Sequence, residues 1–102
     1  MDPVITVHAY LRSHPDHRDA YREGLRALRA ATLEHDAGCL DYRFWQSIDD
    51  PDAFVCVEAW TDMDALRAHL AAPHHVALSA ALDAHRGAPA DVQVFTSSPA
   101  AL

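Results

Sequence analysis

The chain of 102 residues contains no lysine, and all eight of its basic residues are arginine. Schiff-base chemistry, which needs a lysine amine, is therefore excluded. Positive charge is also scarce, since 15 acidic residues give a formal net charge of -7. A surface of this charge offers little to nucleic-acid phosphates or to an acidic membrane. We therefore expect neither nucleic acid nor membrane among the partners.

Long hydrophobic runs are missing too. No segment approaches the roughly 18 consecutive apolar residues of a membrane-spanning helix. The first residues, MDPVIT, lack the basic and apolar regions of a secretory signal peptide, so we expect a cytoplasmic protein. The length suits a single domain over residues 1–102, with a core at about 4–96 and a loose tail at 97–102.

Only two cysteines are present, Cys39 and Cys56, on strands that the sequence predicts to be neighbours. A turn near Pro51 would place Cys56 opposite Arg43 or Phe44. Cys39 would then lie about four residues further along, or roughly 13 Å away at the rise of a strand. That separation is too large for a disulfide, so we predict two buried free thiols.

Hydrophobic periodicity predicts the element order β-α-β-β-α-β. The predicted strands are 4–11, 39–47, 53–60 and 91–96, and the predicted helices are 15–37, 63–71 and 74–85. Gly38 is expected to stop the first helix, and Thr61 has the spacing of an N-cap for the second. Pro73 is expected to break the second helical region into two parts.

This order predicts a ferredoxin-like α+β fold, a four-stranded antiparallel sheet with helices on one face. The other face of such a sheet is polar in a monomer. Here it should be apolar, which indicates homodimerisation through the sheet face. The residues expected there are Phe54, Cys56, Trp60, Val4 and Tyr10, or the equivalent set with the faces reversed.

Most of the unusual chemistry lies between Phe54 and His75. Glu58 and Trp60 close an otherwise apolar strand, and three histidines follow within 15 positions of Trp60. Several polar groups in a mostly apolar cleft between sheet and helix are typical of a small-molecule site. The three histidines are His69, His74 and His75.

Two sequence motifs cover the second and third predicted strands and the helix that follows them. The sequence E-x-W-x-D-x-x-A-L-x-x-H-L-x-x-P-H is complete from Glu58 to His74. The sequence E-x-G-C-L-x-Y occurs as EHDAGCLDY, in a longer form than usual between Glu34 and Gly38. In combination these motifs resemble the antibiotic biosynthesis monooxygenase (ABM) family of dimeric α+β barrels. The resemblance extends over about residues 4–96 and implies the same fold and a homodimer.

The resemblance also implies a reaction, the cofactor-independent oxygenation of a small aromatic quinol, anthrone or related phenol by O2 to a quinone. Haem-degrading relatives need an Asn, a Trp and an iron-binding His, where this chain has Ala9, His69 and Ser79. Haem degradation is therefore disfavoured. The alternative is a non-catalytic protein of the same fold that binds a small molecule or serves oligomerisation.

Oxygenation without a cofactor needs a base, a dry apolar cavity and hydrogen-bond donors for the anion that forms. His69 matches the family's helix histidine and is the predicted base, and His74 matches its Pro-His pair and is predicted to assist. Each has a structural alternative. His69 could bridge to Glu58 or Trp60, and His74 could cap a helix.

The predicted substrate-binding residues are Trp60, Tyr42, Phe44, Glu58 and His75. Trp60 could instead belong to the core or the dimer interface. Glu58 needs a partner within its apolar strand. It could orient a histidine or bond across the dimer to Arg43, His8 or Tyr10.

The remaining histidines and arginines carry no predicted function. Neither His14 with His17 nor His69 with His74 has the i, i+4 spacing that places two metal ligands on one helix face, so we predict no metal site. The first helix carries four arginines beside acidic neighbours, a pattern typical of a solvated face. These are Arg18, Arg22, Arg26 and Arg29.

Overall fold

The structure is a computed structural model that describes residues 2–102. The strands are β1 (Val4–Arg12), β2 (Cys39–Gln46), β3 (Ala53–Trp60) and β4 (Asp91–Ser97). The helices are α1 (Arg18–His35), α2 (Met63–Ala71) and α3 (Pro73–Asp83), and a short 3-10 turn (Pro15–His17) precedes α1. The ferredoxin-like order predicted from periodicity is confirmed, with the second helical region broken at Pro73.

The four strands form one antiparallel sheet in the order β2-β3-β1-β4. Cys56 lies opposite Phe44, and Cys39 lies opposite Trp60 at the other end of the same strand pair. Both cysteines are free thiols, as expected from this separation. Cys56 is buried, whereas Cys39 is only partly buried.

The sheet buries one face of each central strand under the helices. On β1 these residues are Ile5, Val7 and Ala9, as predicted. The prediction for β3 is corrected to its reversed alternative, because Phe54, Cys56 and Trp60 face the helices and Val55 and Val57 lie on the open face. The register explains this result. Paired residues share a face, and β1 pairs its helix-facing residues with those of β3.

The ends of several elements differ from the sequence predictions. Asp62, and not Thr61, is the N-cap of α2, and its side chain accepts a hydrogen bond from the Ala65 backbone at 2.8 Å. Helix α1 already ends at His35, so Gly38 comes in the turn that follows, where it adopts a positive φ of 82°. A Cβ on Gly38 would lie 2.7 Å from the Cβ of Ala65, so this close approach requires glycine. Strand β4 continues through Ser97, which shortens the predicted loose tail.

The open face of the sheet carries the aliphatic side chains of Val55 and Val57 together with three aromatic side chains. Tyr10, Trp45 and Phe95 are 46%, 55% and 43% exposed. Apolar surface of this extent is typical of an interaction site. Separately, no helix within residues 2–102 has the length and apolar character needed to cross a membrane.

Candidate functional site

A cavity of about 280 Å³ lies between the sheet and the helices. Its wall is mostly aliphatic, with side chains from all four strands and from each helix. Val92 and Val94 of β4 line it and stay about half exposed, so the cavity opens towards β4. The polar or thiol side chains in its wall are Tyr42, Cys56, Glu58, His75, Ser79 and Arg86.

His75 is the one imidazole in the wall of this cavity among the described residues. Its Nε2 lies 3.3 Å from the hydroxyl of Ser79, and its ring centre is 4.4 Å from that of His69. Burial lowers the pKa of His75, and the neighbouring His69 lowers it further. His75 is therefore a neutral imidazole at pH 7, ready to accept a proton.

His69 lies behind His75 and is only 2% exposed. Its Nδ1 is 2.5 Å from a carboxylate oxygen of Asp36, and its ring packs 4.6 Å from Trp60. The pKa of His69 is lowered, because burial and the neighbouring His74 together outweigh the opposing effect of Asp36. In the neutral ring Nδ1 then carries the proton and donates to Asp36, which leaves Nε2 as an acceptor.

Asp36 joins two histidines at the end of α1. Its second carboxylate oxygen lies 2.8 Å from Nε2 of His74, although the angle is not that of a hydrogen bond. The Asp36 side chain is almost fully buried between the two rings. Sequence reasoning missed this residue. The available signal was the unusual length of the segment between Glu34 and Gly38, which contains Asp36.

His69 and His74 border an outer cleft and not the interior cavity. This cleft lies on the outside of α2 and also includes Asp36 and Pro73. Both predicted catalytic histidines therefore contact Asp36. The ring of His75 lies next to that of His69 and lines the cavity. The ring of His69 packs against Trp60, as the structural alternative expected. Its hydrogen-bond partner, however, is Asp36.

Glu58 lines the cavity and is paired with Trp60. The indole Nε1 donates to a carboxylate oxygen of Glu58 at 3.0 Å, and both residues are buried. The predicted alternative of a cross-dimer bond from Glu58 to Arg43, His8 or Tyr10 is wrong, because those side chains lie on the opposite face of the sheet. Burial raises the pKa of Glu58 to about 6, while the indole hydrogen bond opposes the rise.

The three predicted aromatic contacts occupy different places. Tyr42 and Phe44 line the cavity, their rings 5.5 Å apart in an edge-to-face arrangement. Burial strongly raises the pKa of Tyr42, so its hydroxyl stays protonated and can donate a hydrogen bond. Trp60 is completely buried and is not part of the cavity wall. Its indole supports Glu58 and His69 from behind.

Replacing Glu58 by glutamine is expected to raise the free energy of unfolding at pH 8 by up to about 2 kcal/mol. The pKa of Glu58 is about 6 in the fold and 4.5 in the unfolded chain, so the buried carboxylate destabilises the folded state above pH 6. The amide keeps an oxygen for the indole of Trp60 and carries no charge. Urea denaturation at pH 4 to 8 measures the effect. The gain should shrink as the pH falls from 6 to 4.5, and a gain that is constant with pH contradicts this explanation.

Comparisons with known proteins support the fold described above. The model of the antibiotic biosynthesis monooxygenase family matches residues 4–81. No curated protein matches the chain significantly. Among solved structures, one from Pseudomonas aeruginosa is 28% identical with a TM-score of 0.85, covering 97% of this chain and 98% of that one.

Two further solved structures are similar over nearly their whole length. One from Mycobacterium tuberculosis is 27% identical with a TM-score of 0.86, covering 97% of this chain and 99% of that one. Another, named an antibiotic biosynthesis monooxygenase, is 27% identical with a TM-score of 0.83, covering 93% of this chain and 99% of that one.

Proposed function

The chain belongs to the antibiotic biosynthesis monooxygenase family, and on this basis we propose that it oxidises a small aromatic quinol or anthrone with O2 and without a cofactor. The observation that carries the proposal is the largely aliphatic cavity between sheet and helices, with a neutral imidazole in its wall. An apolar enclosure holds O2 beside an electron-rich ring and keeps water away from reactive intermediates.

We assign the role of base to His75. It removes a proton from the bound phenol or anthrone, and the resulting anion adds O2 at a ring carbon to form a peroxide anion. The protonated His75 then returns its proton to give the hydroperoxide. Loss of water from this peroxide leaves a quinone, so one oxygen atom enters the product and the other leaves as water. We propose Tyr42, a residue of the cavity wall whose hydroxyl stays protonated, as the donor to the developing oxyanion.

His69 acts through His75 in this proposal. The sequence named His69 as the base, but its ring lies behind that of His75 and its Nδ1 is bound to Asp36. We therefore treat His69 and Asp36 as positioning residues that fix the orientation of the His75 ring. His74 supports Asp36 from the other side and does not reach the cavity.

The size of the cavity supports a small guest. Ligand sites in proteins commonly span about 300 to 1,000 Å³, and this cavity of about 280 Å³ falls at the lower end. A molecule of two or three fused rings suits this space better than a tetrapyrrole. Ser79 and Ala9, at the positions where haem-degrading relatives need His and Asn, both lie in or beside this wall.

We further propose that two copies associate through the open face of the sheet. Val55 and Val57 lie near the centre of this face, and the exposed rings of Tyr10, Trp45 and Phe95 surround them. A second copy would cover this apolar surface by a symmetric contact. Such a dimer leaves the interior cavity on the far side of each sheet.

Incubation with a panel of anthrones and naphthoquinols, with and without air, tests the proposed activity. We expect an anthrone to be converted to its anthraquinone, or a naphthoquinol to its hydroxynaphthoquinone, with uptake of one O2 per turnover and no release of H2O2. The rate, measured with an oxygen electrode, should exceed that of a sample without protein. Conversion should stop under nitrogen. A compound that raises the melting temperature without any uptake of O2 by the panel would support the non-catalytic binding protein and contradict the oxygenase.

A further inference from the structure

A second concave surface lies on the outside of the molecule, between α1 and the edge strand β2. This groove has a volume of about 380 Å³, and none of its wall residues is acidic. Four arginines contribute to its wall in a chain whose net charge is -7, three from α1 and one from β2, whose side chain belongs to the open face of the sheet. The four are Arg22, Arg26, Arg29 and Arg43.

Two of these arginines have acidic partners beside the groove. Arg26 is paired with Glu23 one helical turn away, and Nε of Arg43 donates to Asp41 at 2.9 Å. Both pairs are largely exposed, so water and salt screen them and the pairs can rearrange at little cost. The positive charge of these two arginines is therefore only partly neutralised by their acidic partners.

The other two arginines have no acidic partner among the described residues. Nε of Arg29 donates to the backbone carbonyl of Tyr42 at 2.9 Å, which fixes the side chain and leaves its charge uncompensated. Arg22 is half-buried and forms no ion pair with a carboxylate in residues 2–102, while Asp19 and Glu23 lie beside it on the same helix without reaching ion-pair distance. A partly desolvated cation without a counter-charge favours an anionic ligand.

The floor of the groove is aromatic. Phe44 and Phe54 lie beneath the arginines, and the exposed indole of Trp45 forms part of the rim. Aromatic rings and guanidinium planes both stack well against another flat ring. Phe44 and Leu25 also form walls of the interior cavity, so these two side chains contact both spaces.

We propose that this groove is a binding site for a small aromatic carboxylate. The carboxylate pairs with the guanidinium groups of Arg22 and Arg29 in the planar geometry that arginine favours, while the ring lies on Phe44 and Phe54. The site is distinct from the interior cavity and does not depend on the oxygenase reaction. The groove arginines thus have a role beyond that of a solvated helix face.

Isothermal titration calorimetry tests this site. The full chain is titrated at pH 7.5 with 2-naphthoate and with its neutral amide, 2-naphthamide, and the two dissociation constants are compared. The wild type should bind the acid at least about tenfold more tightly than the amide. Arg22→Gln should weaken the acid about tenfold, since loss of one charge-assisted contact is worth roughly that factor, and should leave the amide unchanged. Arg67→Gln, an exposed arginine of α2 paired with Asp64, serves as the matched control and should change neither.

Three outcomes would overturn the proposal. The acid and the amide would bind equally, or Arg22→Gln would leave the affinity for the acid unchanged, or Arg67→Gln would weaken it as much as Arg22→Gln does. Melting curves of both variants show whether they remain folded. Because Arg22 is on the surface of α1, we expect melting temperatures close to that of the wild type.

Discussion

The variant His75→Ala is expected to lower kcat/KM for the best quinol or anthrone by about 10² to 10⁴-fold, the usual contribution of a positioned base. The pKa of His75 is lowered from 6.5 by burial and by His69, so the wild-type enzyme should keep its full rate above pH 6.5 and lose rate only at lower pH. Steady-state oxygen uptake measured from pH 5 to 8 reports both effects. His14→Ala, an exposed histidine far from the cavity, should retain wild-type kinetics.

The variant His69→Gln separates the base from the residue that positions it. Removing the His69 ring removes one of the groups that lower the pKa of His75, so the acid limb of the pH profile should move to higher pH. The rate should fall less than in His75→Ala. If His69→Gln loses activity completely while His75→Ala retains it, His69 is the base, as the sequence alone suggested.

The variant Val55→Asp is expected to dissociate the proposed homodimer, with a rise in Kd of at least about 100-fold. Val55 lies on the open face between Tyr10 and Trp45, so a carboxylate there would be buried among apolar side chains in the dimer at a cost of several kcal/mol. In the monomer the same position is only partly buried, so the fold should persist. Sedimentation over a micromolar concentration series measures the association.

The matched control for this prediction is Ile48→Asp. Ile48 is fully exposed in the turn between β2 and β3, and the same change of an aliphatic residue to a carboxylate should leave the dimer intact. Dissociation of both variants would show only a general effect of added charge. A wild type that is monomeric at micromolar concentration would exclude the sheet-face dimer altogether.

The order of elements followed from the sequence because each strand alternates and each helix has an apolar stripe. The face of β3 that packs against the helices did not follow from the sequence. Its two faces, one with Val55 and Val57 and the other with Phe54 and Cys56, are both apolar, so periodicity cannot choose between them. The choice depends on pairing with β1, which is a contact between distant parts of the chain.

The residues that the sequence proposed for the site lie in one region of the structure, whereas their positions within that region depend on tertiary structure. Pro73 begins a new helix, so the phase of α2 does not predict which of His69 and His75 faces the cavity. Asp36 contacts His69 across 33 positions, and no local pattern encodes that contact. The arginine groove likewise lies between α1 and β2. The spacing of the arginines along α1 alone indicated only a solvated helix face.

Labelling with ¹⁸O2 tests whether a substrate bound beside His75 is oxygenated. The wild-type protein and an anthrone should give a quinone with one ¹⁸O atom per molecule by mass spectrometry, with a yield that falls sharply in His75→Ala. A quinone whose new oxygen comes from water, or equal labelled yields from the wild type and His75→Ala, would contradict the proposed oxygenation.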